Sequence, residues 1–125
     1  MEEEWKEIPG YEGYYEASSH GRIRSVERRL EDKAGRARTF PGVVMKPQVH
    51  YKGYMMVWLR MRGDRQKMYV HRLVAIAFHP NPEDKEMVNH KDKDRQNNHR
   101  DNLEWCTIEE NTEHRDNYVP NDEPF

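Results

Sequence analysis

Residues 88–114 of this 125-residue chain include Asn89, His90, Asn102, Asn111 and His114, with His90, Asn102 and Asn111 set at intervals of 12 and 9 residues. Packing does not call for so many amides and imidazoles in so short a span. A site that holds a water, a divalent cation and a phosphate does. An imidazole ordinarily titrates near neutrality, so His90 can take a proton from water. Asn102 can hydrogen-bond the ring and fix its orientation and tautomer. Asn89 and Asn111 offer amide oxygens, hard neutral ligands acceptable to Mg²⁺, Mn²⁺ or another divalent cation that keeps several waters and takes phosphate as a further ligand. His114, three residues beyond Asn111 and on nearly the same helical face, is a further candidate metal ligand or phosphate contact. The reaction implied is metal-assisted hydrolysis of a phosphodiester. Taken singly, each of these residue types is more often a turn former. Asn97 and Asn98 are read that way, as Asx side chains bonding their own backbone, and His99 is read as exposed.

The elements that must hold these residues follow from periodicity. Residues 86–90 and 102–106 read as two short strands around a polar loop. Thr107 can cap a final helix, with Glu110 three residues on completing a capping box, so 86–117 reads as strand, loop, strand, helix. Upstream, Val70, Leu73, Val74, Ala77 and Phe78 form one apolar helical stripe, stopped by His79-Pro80-Asn81-Pro82. His71 and Arg72 lie off that stripe and either touch DNA or face solvent. Residues 5–29 read as a small antiparallel β unit in which a period of two sends Arg22 and Arg24 to one basic face. Val43–Lys46, Tyr54–Met61 and Gln66–Val70 are strand candidates, the last two joined as a hairpin across Arg62-Gly63-Asp64-Arg65. Residues 30–42 show neither period and read as a mobile, positively charged loop. Trp58 and Trp105 are assigned to the core, and the single cysteine, Cys106, to packing. The fold class is α+β: a basic β-rich region over 1–69, a catalytic region with its preceding helix over 70–117, and a frayed tail over 118–125.

Composition limits the alternatives. With 34% hydrophobic and 35% charged residues, the core must be modest. Met1-Glu2-Glu3-Glu4 does not resemble a signal peptide, and no apolar run approaches the ~20 residues of a bilayer crossing. A cytoplasmic protein of a bacterium or phage-infected cell, with no membrane partner, is expected. One cysteine excludes an internal disulfide and a zinc site built on cysteine pairs. The net charge of −2 conceals a division: 14 Lys/Arg against four acids between Arg22 and Arg72, flanked by acidic segments on both sides. A central block this basic suits a polyanion partner. Arg22, Arg24, Arg28, Arg29, Lys46, His71 and Arg72 are its candidate DNA contacts, with double-stranded DNA as the partner and a monomer or weak homodimer as the binding form.

The order Val70-His71-Arg72-Leu73-Val74-Ala75 to Phe78, Asn81-Pro82, Val88-Asn89-His90, Asn97-Asn98, Asn102-Leu103-Glu104-Trp105 and Glu110-Asn111 resembles the HNH nucleases of the phage homing-endonuclease branch. The stretch from Trp5-Lys6-Glu7-Ile8-Pro9-Gly10 to Gly21-Arg22-Ile23-Arg24-Ser25 is similar to the nuclease-associated module of that branch. Together they cover most of residues 5 to 115. The resemblance implies a ββα-metal unit cleaving DNA with one divalent ion, His90 as general base, Asn102 positioning it, and Asn111 as a metal ligand. Two departures stand out. Asn89 occupies a place where many members have an aspartate, which predicts weak metal affinity, and the chain ends soon after the catalytic helix, without the C-terminal helix-turn-helix of homing members. The competing readings are a non-catalytic DNA-binding relic and a structure-specific or RNA nuclease.

Overall fold

Short β-strands separated by glycine turns build the N-terminal half. The structure, a computed structural model, describes residues 2–31 and 33–112, without the side chains of residues 30, 111 and 112. Strands β1 (Trp5–Glu7), β2 (Tyr15–Ser18) and β3 (Ile23–Ser25) form an antiparallel sheet in that order. Gly21, between β2 and β3, has φ +88°, and a Cβ there would stand 2.7 Å from the backbone carbonyl carbon of Asn98. Only glycine combines that conformation with that approach, and the contact fastens the first sheet to the polar loop over residues 91–102. Arg100 N–H donates to the Ser19 carbonyl at 2.9 Å beside it.

Residues 30–42, expected as a loop, instead contribute to a hairpin of β4 (Arg28–Glu31) and β5 (Ala37–Phe40), with Arg28 opposite Phe40 and Glu31 opposite Ala37. Every residue of β5 is exposed, so no buried face writes a period into the sequence. The expected strand at Val43–Lys46 shrinks to one bridge, Val44 to Arg24, in a segment bounded by Pro41 and Pro47, which lack the N–H of a continuing ladder. The pairing moves to β6 (Gln48–Val49), which joins β7 (Met55–Met61) and β8 (Asp64–Tyr69) in the order β6-β7-β8. The β7–β8 turn is two residues, tighter than expected. Arg62 and Gly63 have φ +52° and +86°, the positive pair that lets a two-residue turn match strand twist.

Helix α1 (Val70–Phe78) has the expected bounds, and His79 N–H closes it on the Ala75 carbonyl at 2.8 Å. Strands β9 (Met87–His90) and β10 (Leu103–Cys106) pair antiparallel, and α2 (Ile108–Thr112) follows. The capping box is present: Glu110 N–H donates to Thr107 Oγ1 at 3.1 Å and Thr107 N–H to Glu110 Oε1 at 2.9 Å. One core runs through both halves, drawing Ile8, Ala17, Ile23, Leu59, Leu73, Val74, Val88 and Leu103 into contact. The boundary near residue 70 is therefore not a packing boundary. Trp105 packs against this core and donates to the His79 carbonyl at 3.0 Å. Trp58 does not join it: it lies on the outward face of β7, 37% exposed, because Val57 and Leu59 take the inward positions. No described helix is long and apolar enough to cross a membrane.

Candidate active site

Strand β9 ends on His90, whose cross-strand partner is Leu103, while Asn89 faces Glu104. His90 is 3% exposed. Its Nε2 lies 2.9 Å from Asn98 Oδ1. An amide oxygen only accepts, so Nε2 carries the proton and Nδ1 keeps the lone pair that makes the ring a base. Behind the ring are His71, with ring centroids 4.8 Å apart, and Tyr54 at 6.2 Å. Burial pushes the His90 pKa below the ordinary histidine value, against opposing pulls from the Asn98 hydrogen bond and from Asp92 and Asp94. His90 is thus neutral at pH 7, as a proton acceptor must be.

Asn98, expected to shape only its own turn, is the side chain that hydrogen-bonds the His90 ring. Asn102, expected in that role, clasps the loop instead. Its Nδ2 donates to Asp92 Oδ1 at 2.9 Å and to the Asn97 carbonyl at 2.8 Å, and its Oδ1 accepts from Asp92 N–H at 3.0 Å. The cause is local: Arg100–Asn102 form a 3₁₀ turn at the foot of β10, and from there the amide turns back into the loop. Asn97 Nδ2 completes the clasp on Asp92 Oδ2 at 2.7 Å. That bond leads the effects holding the Asp92 carboxyl below its usual range. His99 also departs from expectation. It stacks on His20, with centroids 5.3 Å apart, and its Nδ1 accepts from Asp101 N–H at 3.2 Å.

His71 does not reach DNA or solvent. It is fully buried on α1 and stacks on Tyr54 at 5.2 Å. Burial, then the neighbouring His90 and Arg72, push its pKa well below the ordinary value, so it forms a neutral wall behind the base. A buried, neutral histidine carries no signal in a sequence that distinguishes it from an exposed one. The helical stripe gave only the hint that position 71 adjoins it.

Asn89 is buried at 3% exposure. Its Nδ2 donates to Glu104 Oε1 at 3.0 Å, while its Oδ1 has no hydrogen-bond partner among the described residues. A buried acceptor left without a donor is costly in isolation, and it fits a hard cation that accepts amide oxygen. Among the described residues no group of three His, Cys, Asp or Glu side chains could hold a metal. Asn111 lies in α2, just past β10. Its side chain, and the whole of His114, fall outside the described residues.

The expected phosphate contacts sort into two groups. Arg22 is ion-paired to Glu3, and Arg24 to Glu16 at 2.6 Å; both guanidinium groups also lie over Trp5, Arg24 at 4.1 Å. Arg72 donates to the Glu86 carbonyl at 2.9 Å and covers Trp105. Those three are engaged within the protein. Arg29 and Lys46 are exposed, and Arg28 lies over Tyr14 at 5.0 Å while also lining a cleft beside the β7–β8 turn.

Comparison with known proteins accounts for both halves. Residues 3–60 match the NUMOD4 motif, and residues 68–113 match the HNH endonuclease family. The C-terminal half is thus similar to the HNH endonucleases. It is 36% identical over 112 residues to DNA endonuclease I-HmuI of Bacillus phage SP01, an alignment covering 90% of this chain and 57% of that protein. An uncharacterised HNH endonuclease of Acanthamoeba polyphaga mimivirus is 37% identical over 115 residues, covering 88% of this chain and 25% of the relative. A solved structure described as DNA binding and cleavage by the HNH homing endonuclease I-HmuI superposes with TM-score 0.72 at 35% identity, over 93% of this chain and 61% of that one. The chain thus spans about three fifths of the phage relative's length and about a quarter of the viral one.

Proposed function

We propose that the protein is a divalent-metal-dependent DNA endonuclease that hydrolyses phosphodiester bonds, with His90 Nδ1 as the general base. The observation that carries this reading is the Asn98 lock on Nε2 of a buried, neutral His90. It fixes the tautomer before substrate arrives, so the lone pair is set on the nitrogen that must take a proton from the attacking water. Asn89 Oδ1, with Asn111, would hold the cation. A bound Mg²⁺ or Mn²⁺ supplies charge stabilisation at the phosphate and leaving oxygen. Asn102 acts through the loop: by clasping Asp92 and Asn97 it sets the stretch that carries Asn98.

The test is supercoiled plasmid incubated with and without Mg²⁺ or Mn²⁺. Nicked or linear product only with metal is expected, and intact plasmid under all conditions would favour the non-catalytic relic. Asn98→Ala should slow cleavage about tenfold, the equivalent of one hydrogen bond at the upper end of its usual net worth, and should change the pH profile. Asn89→Asp sets a carboxylate against Glu104. It should lower the metal concentration for half-maximal activity and make the melting temperature metal-dependent, and calorimetry showing neither would remove Asn89 from the ligand set.

A further inference from the structure

The outward face of β7–β8 carries a cluster of positive charge that the catalytic centre does not use. Arg60 and Arg65 are directly opposite in register, a like-charge pair that weakens a hairpin. Arg62 stands in the turn, and Arg28 approaches from the root of β4. These four arginines and a single carboxylate, Asp64, surround a cleft of about 450 Å³. Arg60, Arg62 and Arg65 make no ion pair among the described residues. Arg65 instead lies over the exposed Trp58 ring at 4.4 Å. Ring contacts leave the net charge in place, and within the cleft Asp64 alone offsets it, whereas a polyanion would compensate all four charges.

We propose that this cleft is a second phosphate-binding site, a clamp on the DNA backbone away from the scissile bond. The assignment rests on the endonuclease reading above. Guanidinium is suited to the role because its planar fork meets phosphate oxygens in pairs. Strand β7 sets the distance. Its first residues follow Tyr54, which neighbours His90, and the five steps from Met56 to Met61 cover about 17 Å at strand rise. Nucleotides of one strand advance about 3.4 Å along the duplex axis, so a duplex lying parallel to β7 would be held about five nucleotides from the cut.

The experiment measures duplex affinity by fluorescence anisotropy from roughly 50 to 200 mM salt, in the His90→Ala chain so that substrate stays intact. Arg60→Gln with Arg65→Gln should flatten the slope of log K against log salt by about 1.8, near 0.9 for each phosphate no longer neutralised. Arg28→Gln with Arg62→Gln, from the other wall, should do the same, while Arg60→Lys with Arg65→Lys should retain the slope. Ethylation interference should lose a patch about five phosphates from the cut. If the parent binds and cuts but neither glutamine pair alters the slope, the clamp is overturned and the catalytic reading stands. If the parent neither binds DNA nor cuts it, the endonuclease reading fails and the clamp with it.

Discussion

Two arginine-bearing surfaces of this protein look alike in sequence and differ in charge once folded. On the first sheet, Arg22 and Arg24 meet Glu3 and Glu16 and lie on Trp5. On the β7–β8 hairpin, Arg60, Arg62 and Arg65 have only Asp64 in their cleft. The acidic N-terminal segment accounts for the difference, because it is laid beside the start of the basic block and neutralises it there. A segment's charge is a sum over positions, whereas a surface's charge depends on which segments pack together.

The largest expected effect separates cutting from holding. His90→Ala should reduce cleavage by about 10² to 10⁴, the usual worth of a general base, and leave DNA affinity within a few fold. A matching loss of affinity would show that the active site is itself the main DNA grip, and the contrast between the two arginine surfaces would lose its meaning.

The next effect sharpens the contrast directly. Arg22→Ala with Arg24→Ala should leave the salt slope nearly unchanged, whereas the hairpin pair removes about 1.8 from it. The first-sheet pair should show its effect in stability, as a small loss, because exposed ion pairs contribute little. A slope change as large as that of the hairpin pair would mean that Glu3 and Glu16 yield their arginines to DNA on binding.

The smallest effects are in the pH dependence. Burial lowers the folded pKa of His90 and His71, so the unfolded chain binds more protons as pH falls below the ordinary histidine value of 6.5. Stability is present above that value and declines below it. Activity should hold from neutral pH to below 6.5 and then fall as His90 takes its proton. Glu3, held down to about 2 chiefly by its hydrogen bond with Arg22, contributes stability above its ordinary 4.5 that is lost towards pH 2. Arg22→Ala should remove that low-pH component from an acid unfolding curve while leaving the histidine component in place.

What the sequence disclosed depended on whether a buried face or a local motif recorded it. The α1 stripe, the β9 and β10 strands and the Thr107–Glu110 box were legible because each is written within a few consecutive residues. The pairing of Asn98 rather than Asn102 with His90 was not, since both are Asn in one loop and only the 3₁₀ turn decides which amide faces the ring. His71 was open between DNA and solvent because the chemistry of a histidine does not report its burial. Trp58 was assigned to the core, although the alternation of Val57 and Leu59 on either side already pointed it outward.

Among the described side chains the β4–β5 hairpin supplies none to either core cluster, and its ends, Arg28 and Phe40, face each other across the ladder, about 5 Å apart. Excising residues 29–39 and closing the gap with a very short link should therefore leave β7 and α1 in place. Such a ribbon is an interchangeable part. Substitutions along it should alter what the protein touches while leaving its melting behaviour almost unchanged.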